Sequence, residues 1–254
     1  MMIKDTSFLL SYTRFDYSSL AEEYDRVLND QALPIAIAAI LAAVYAGLEW
    51  WRWFTKAPPQ PGLVSVAAVC IVAFCFFRGV KIRSRLNDLK LGLQGEKAVG
   101  QFLDANRQTG WHVFHDVPGD GFNVDHVLVT PQGIFTIETK TRSKPTKGDA
   151  IVKYDGEKMF VNGLEPGRNP IVQACASRDW IGNLLFKMTA IQYPVRGVVV
   201  FPGWYIESPK GGKRPDVWVL NEKALLKFIE NEPVVIKAED VALVSDRLAL
   251  HVTQ

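Results

Sequence analysis

In the segment GIFTIETKT, Glu138 and Lys140 stand two residues apart, and a strand turns residues two apart to the same face. Ile134 and Thr136 share that face, while Phe135, Ile137 and Thr139 point the other way. Upstream, in NVDHVLVT, Asp125 shares a face with Val127 and Val129, an acid on an apolar side. In GLQGEKAVGQFL, Glu96 follows Leu93 by three residues and precedes Leu103 by seven, on or beside the apolar stripe of a helix. Gln173 precedes Trp180 by seven and Leu184 by eleven, on the packing face of a second helix. Unpaired buried charge costs roughly several kcal/mol, so such charges usually serve a purpose. Three carboxylates and an ammonium converging on a sheet edge suit a hard divalent cation, Mg²⁺ first and Mn²⁺ as an alternative. Such an ion lowers the pKa of bound water and stabilises the leaving oxygen in phosphodiester hydrolysis. Lys140 would position or activate that water and offset charge developing on phosphorus. Singly, each residue has an ordinary reading: a solvated Glu-x-Lys pair, a helix-flank acid, a hydrogen-bonding glutamine. Their combination and order carry the inference.

The elements that must position them form an α/β pattern. A helix over GLQGEKAVGQFLDANRQ precedes three short strands, WHVFHDV, NVDHVLVT and GIFTIETKT, parted by the turns PGDGF and PQG. IVKYDGEKMFVNG reads as a hairpin on its Asp-Gly turn. NPIVQACASRDWIGNLLFKM reads as a helix with Asn169 as cap and Pro170 in its first turn. VRGVVVF, almost wholly apolar, suits a strand covered on both faces. DVWVL and NEKALLKFIENE add a strand and a helix. The expectation is a mixed sheet flanked by helices.

Ahead of this domain lie two uncharged runs, residues 33–48 and 62–77, joined by KAPPQPG. Each is slightly short of the roughly 17–25 residues of a spanning helix. Trp50, Trp51 and Trp53 extend the first run into the interface, where indole rings are favoured. A buried hairpin in a soluble protein is the competing reading, and the tryptophan rim favours the membrane. A signal peptide fits poorly, because a charged stretch precedes the first run. Arg78, Lys81, Arg83, Arg85 and Lys90 follow the second run against the single acid Asp88. The positive-inside rule therefore puts that end, and with two spans the N-terminus, in the cytoplasm. The expected organisation is an N-terminal segment 1–32, a transmembrane hairpin 33–80 with spans near 33–53 and 62–80, and a basic linker 81–90. An α/β domain 91–235 follows, with a C-terminal segment 236–254 that closes it as a strand and helix.

Composition excludes some alternatives. A net charge of +2 over 254 residues gives no global nucleic-acid signal. Cys70, Cys75 and Cys175 offer neither a disulfide framework nor a zinc ribbon. His112 and His115 fall on opposite strand faces and do not share a metal easily. No organic cofactor is implied.

Taken in order, GLQGEKAVGQFL, NVDHVLVTPQGIFTIETK, NPIVQ and VRGVVVF resemble the PD-(D/E)xK nuclease superfamily, and within it the nuclease-related domain called NERD. The resemblance covers residues 91–202. It implies a restriction-endonuclease-like fold with Asp125 and Glu138 as the metal-binding acids. Lys140 matches the catalytic lysine, Glu96 the acid on the first helix, and Gln173 the glutamine on the second core helix. Val124 stands where the family usually has proline. Membrane spans beside such a domain fit similar bacterial proteins. The implied protein is a metal-dependent nuclease at the inner membrane, with DNA as substrate class and its active site in the cytoplasm. Its partners would be nucleic acid and, through the hairpin, the lipid bilayer. Arg142, Lys144, Lys147, Lys153 and Arg168 are candidate phosphate contacts. The alternative is a non-catalytic nucleic-acid-binding or scaffold protein of the same fold, and RNA is not separated from DNA.

Overall fold

The computed structural model describes residues 18–56, 61–145, 149–208 and 215–253. The described chain divides into two compact units, residues 19–91 and, with Ser18, residues 92–253.

The first unit holds α1 (Ser18–Val27), a π turn (Leu28–Ala32), α2 (Leu33–Phe54) and most of α3 (Pro61–Ala105). The apolar parts of α2 and α3 are long enough to cross a membrane. Their burial pattern is inverted relative to a soluble hairpin. On α2 the least exposed residues are Ile35, Ala39, Ala42, Ala46 and Glu49. On α3 they include Ser65, Ala68, Cys75, Gly79 and Ile82. Spacings of three and four keep each set on one seam, and Trp50 Nε1 donates across it to Ser65 Oγ (3.2 Å). Large apolar side chains face outward instead: Ile40 is 62% exposed and Phe77 72%. Glu49, buried in the seam, pairs with Arg52 at 2.8 Å. The basic stretch 81–90, expected as a linker, is helical and continuous with α3. Lysine and arginine are good helix formers, and no proline interrupts them. Arg85 there meets Glu23 at 2.9 Å. Most of the turn KAPPQPG, and residues 1–17, lie outside the described residues.

The second unit is a mixed α/β fold. Its strands are β1 (His112–Pro118), β2 (Asn123–Thr130), β3 (Gly133–Thr139), β4 (Ile151–Tyr154), β5 (Met159–Val161), β6 (Val195–Val200), β7 (Tyr205–Glu207) and β8 (Val217–Leu220). The main sheet runs β1-β2-β3-β6-β8. Its first three strands are antiparallel, and β3, β6 and β8 are parallel. A smaller sheet, β5-β4-β7, contains the expected hairpin plus β7, too short at three residues to show a pattern.

Both faces of the main sheet are covered, which is why β3 is buried along its whole length. Val99 and Leu103 of α3, with Leu225 and Ile229 of α5 (Glu222–Glu230), pack against Leu128, Phe135, Ile137 and Val198. On the opposite face, Ile181 and Leu185 of α4 (Pro170–Thr189) join Val127, Val129 and Ile134. Val244 and Leu248 of α6 (Ala238–Val252) complete that layer. No strand precedes α6: the Val235 and Ile236 N–H groups both donate to the Pro131 carbonyl (2.9 Å each). Asn169 caps α4, accepting from the Ile171 N–H (3.0 Å). Gly197 lets α4 lie close on β6, since a Cβ there would stand 2.8 Å from the Ala174 carbonyl oxygen.

Candidate active site

The antiparallel pairing of β2 and β3 brings the first two acids together. His126 pairs with Ile137, and one further step in that register sets Asp125 opposite Glu138. Asp125 Oδ2 accepts from the Thr139 N–H at 2.6 Å. β3 continues into Lys140, whose N–H donates to the Val200 carbonyl (2.8 Å). Lys140 Nζ then reaches back to Glu138 Oε1 at 2.6 Å. Glu138 is buried, whereas the Lys140 side chain is 29% exposed. The pair is thus open to solvent on the lysine side only.

Glu96 arrives from α3. Its neighbour Gly95 is the reason the helix can approach: a Cβ there would run into the Thr141 side chain, one residue past Lys140. Half-buried Glu96 has its pKa raised to about 7, first by burial, then by Asp116 and Glu138, with Lys140 opposing. Asp125 is pushed well above the ordinary carboxylate range, again first by burial, then by Glu138 and Glu96. The Thr139 N–H and Lys140 only partly offset this. Glu138 thus acts on both Glu96 and Asp125, and Glu96 on Asp125, as members of one site.

The donor set is all oxygen, anionic and mutually repulsive, which is the chemistry a hard divalent cation relieves. It is not pre-assembled as a cage. Among the described residues, no three His, Cys, Asp or Glu side chains stand together as a ligand cluster. The reason is visible in two contacts: Glu138 is turned to Lys140, and Asp125 to the Thr139 N–H.

Other sequence-derived candidates fall less cleanly. The buried stripe of α4 is Pro170, Ala174, Ser177, Ile181 and Leu185, so Gln173 lies at its flank rather than on it. Its Oε1 is nevertheless buried without a hydrogen-bond partner, a cost normally avoided. Arg142, Lys144 and Arg168 are exposed. Lys153 sits on β4 in the smaller sheet and pairs with Glu207 at 3.3 Å. Lys147 lies outside the described residues. A cavity of about 320 Å³ beside Ile151, Lys153 and Asn162 belongs to the smaller sheet and is lined by none of the four charged site residues.

Sequence reasoning missed three groups next to the site. Asp116, at φ 49°, accepts from Asn123 Nδ2 (2.7 Å) and raises the Glu96 pKa. His115 and His126 meet at 2.9 Å between their Nδ1 atoms. Burial first, and His115 second, hold His126 well below the ordinary histidine range. The available signal was polar residues at inward positions of otherwise apolar strands, the same signal that singled out Asp125.

Residues 91–202 match the family model NERD, nuclease-related domain. The match spans a little under half of the 254 residues and includes all of Glu96, Asp125, Glu138, Lys140 and Gln173. Among curated proteins and solved structures, nothing matches the chain. The similarity of residues 91–202 to a nuclease-related domain points to nuclease-like function.

Proposed function

We propose that this protein is a membrane-anchored, Mg²⁺-dependent nuclease that hydrolyses phosphodiester bonds, with DNA as substrate and an endonucleolytic mode of action. The observation that carries the reading is the gathering of Asp125, Glu138 and Lys140 at the end of β3, with Glu96 near enough for burial and acidic neighbours to raise its pKa. A scaffold has no use for carboxylates held in protonatable, repulsive surroundings.

Asp125, Glu138 and Glu96 would hold the cation, Mg²⁺ or Mn²⁺. When bound, it supplies Lewis-acid stabilisation of the scissile phosphate and a water of lowered pKa. The remaining steps belong to the chain. Glu96, whose pKa is raised to about 7, would have to give up its proton to serve as a ligand. With Glu138 serving as a metal ligand, Lys140 Nζ would be released from its 2.6 Å contact. That ammonium then faces the attacking water and the phosphoryl oxygens, where charge grows. The Thr139 N–H holds one oxygen of the Asp125 carboxylate, which would leave the other for a cation. Exposed Arg142 and Lys144, just past the catalytic strand, contact backbone phosphates of the substrate.

The inverted hairpin supports the anchor. Small residues line its seam and large apolar side chains face out, the arrangement expected where lipid is the solvent. The basic run from Arg78 to Lys90 favours a cytoplasmic location for that end, at the inner membrane.

The test is cleavage by the full chain in detergent micelles, with linear and circular DNA or RNA and Mg²⁺ or Mn²⁺, against a Lys140→Ala control. Metal-dependent cutting lost by at least about a hundredfold in the variant is expected. A folded protein that cuts neither nucleic acid and binds no metal by calorimetry would leave the scaffold reading.

A further inference from the structure

The register of β1 on β2 brings one more acid to the site. His115 pairs with His126 and Val117 with Val124, so Asp116, between them, stands opposite Asp125. Asp125 in turn stands opposite Glu138, one step beyond the pair His126 and Ile137. Three carboxylates therefore lie in one row across three antiparallel strands, with adjacent Cα atoms about 4.5–5.5 Å apart. The Asp116 side chain shares the face of the other two. Its Oδ1 accepts from Asn123 Nδ2 at 2.7 Å, and Asn123 lies two residues before Asp125 on β2, on the same side of the strand. The next row along, Phe114, Val127 and Thr136, carries no charge.

Like charges directly opposite one another destabilise a sheet. Asp116 also adopts φ 49°, a conformation that few residues other than glycine, asparagine and aspartate accept. A cation at the row offsets the repulsion, and the place is open to one: β1 is an edge strand of the main sheet and Asp116 is only half-buried. In keeping with this position, Asp116 comes next after burial among the influences that raise the Glu96 carboxyl to about 7. We propose that Asp116 is a fourth acid of the cation site, a positioning residue acting from the edge strand on the ion that Asp125, Glu138 and Glu96 would hold. Its Cα is two strand spacings, about 10 Å, from that of Glu138. At that distance it acts through one of the waters that Mg²⁺ and Mn²⁺ retain, rather than as a direct ligand. This rests on the nuclease reading of the site. Outer residues of this kind change metal affinity by about ten- to a hundredfold in known metal sites.

The experiment titrates Mn²⁺ alone into the full chain in detergent micelles, following the free ion by electron paramagnetic resonance. Thermal unfolding of each variant is measured in chelator. Asp116→Asn keeps the size, the acceptor for Asn123 and a residue type that tolerates φ 49°, and removes only the charge. The expected result is an Mn²⁺ affinity about tenfold lower, with a melting temperature in chelator no lower than wild type. Asp116→Gly, which accepts the backbone conformation freely, should show the same loss of affinity and serves if the asparagine variant does not fold. Asp120→Asn removes an equal charge from the exposed turn four residues on and should bind Mn²⁺ as wild type does. Wild-type affinity in the Asp116 variants overturns the proposal and leaves the nuclease reading intact. An equal loss in Asp120→Asn also overturns it, because general charge would then suffice. So does a loss in Asp116→Asn that comes with a lower melting temperature, which reports a structural role. A wild-type chain that binds no Mn²⁺ overturns the proposal and the nuclease reading together.

Discussion

Replacing Glu96 by glutamine should stabilise the metal-free protein, and by an amount that depends on pH. In the folded chain this carboxyl titrates at about 7, against 4.5 for an unperturbed one. A group whose folded pKa is raised binds protons more tightly when folded. Its contribution to stability is therefore most favourable at low pH and is lost as pH rises from 4.5 to about 7. At about 1.36 kcal/mol per pH unit, the native carboxylate costs up to about 3 kcal/mol at pH 8 and less than about 1 kcal/mol at pH 5. Glutamine keeps the shape and cannot ionise. For a folded unit of this size, about 3 kcal/mol corresponds to a rise of roughly 6–12 °C in melting temperature. The assay is thermal unfolding of full-length wild type and Glu96→Gln in micelles with chelator, at both pH values. The gain should be large at pH 8 and small at pH 5. Saturating Mg²⁺ should then reverse the order, because a ligand bound to the native state adds stability only where its site is intact. A variant that is less stable at pH 8, or whose gain is the same at both pH values, would refute the view that Glu96 is held in a repulsive acid cluster.

The same shift makes cation binding compete with protons. Mn²⁺ affinity of the wild type should rise from pH 5.5 to about 7.5 and level off above it, with proton release visible as buffer-dependent heats in calorimetry. Glu96→Gln should flatten that dependence. Gly197→Ala places a methyl 2.8 Å from the Ala174 carbonyl oxygen, so α4 must move off β6. The expected cost is about 1–3 kcal/mol, read as a lower melting temperature at every pH. Ile40→Arg puts a charge on the outward face of α2, where Ile40 is 62% exposed. If lipid covers that face, insertion worsens by about 2.5–3.5 kcal/mol and the protein leaves the membrane fraction on carbonate extraction. Retention there equal to wild type would count against the anchor.

Much of the second unit was legible because its signals are local. Apolar alternation marks β2 and β3, Asn169-Pro170 marks the start of α4, and the unbroken apolar run of β6 marks a strand covered on both sides. β7 was not legible, because three residues carry no period and its pairing with β4 is made by chain distant in sequence. The helical continuity of residues 81–90 was missed for a different reason: a run of charge resembles a linker, although lysine and arginine favour helix.

At the site the division is sharper. The residue types alone determined that acids and a lysine would sit on buried strand and helix faces, since period two and period 3.6 assign faces without knowledge of neighbours. They also determined the two apolar helices, since length and absence of charge are properties of the chain itself. Only the tertiary structure decided that Asp125 lies opposite Glu138, because register between strands depends on the turn that joins them. It alone showed that Lys140 is held by Glu138 and that Asp125 is spent on the Thr139 N–H. Likewise, His115 and His126 meet only because β1 and β2 pair in that register. Hydrogen bonds and pKa shifts act over a few ångströms of space, and the sequence specifies those distances only through the folded chain.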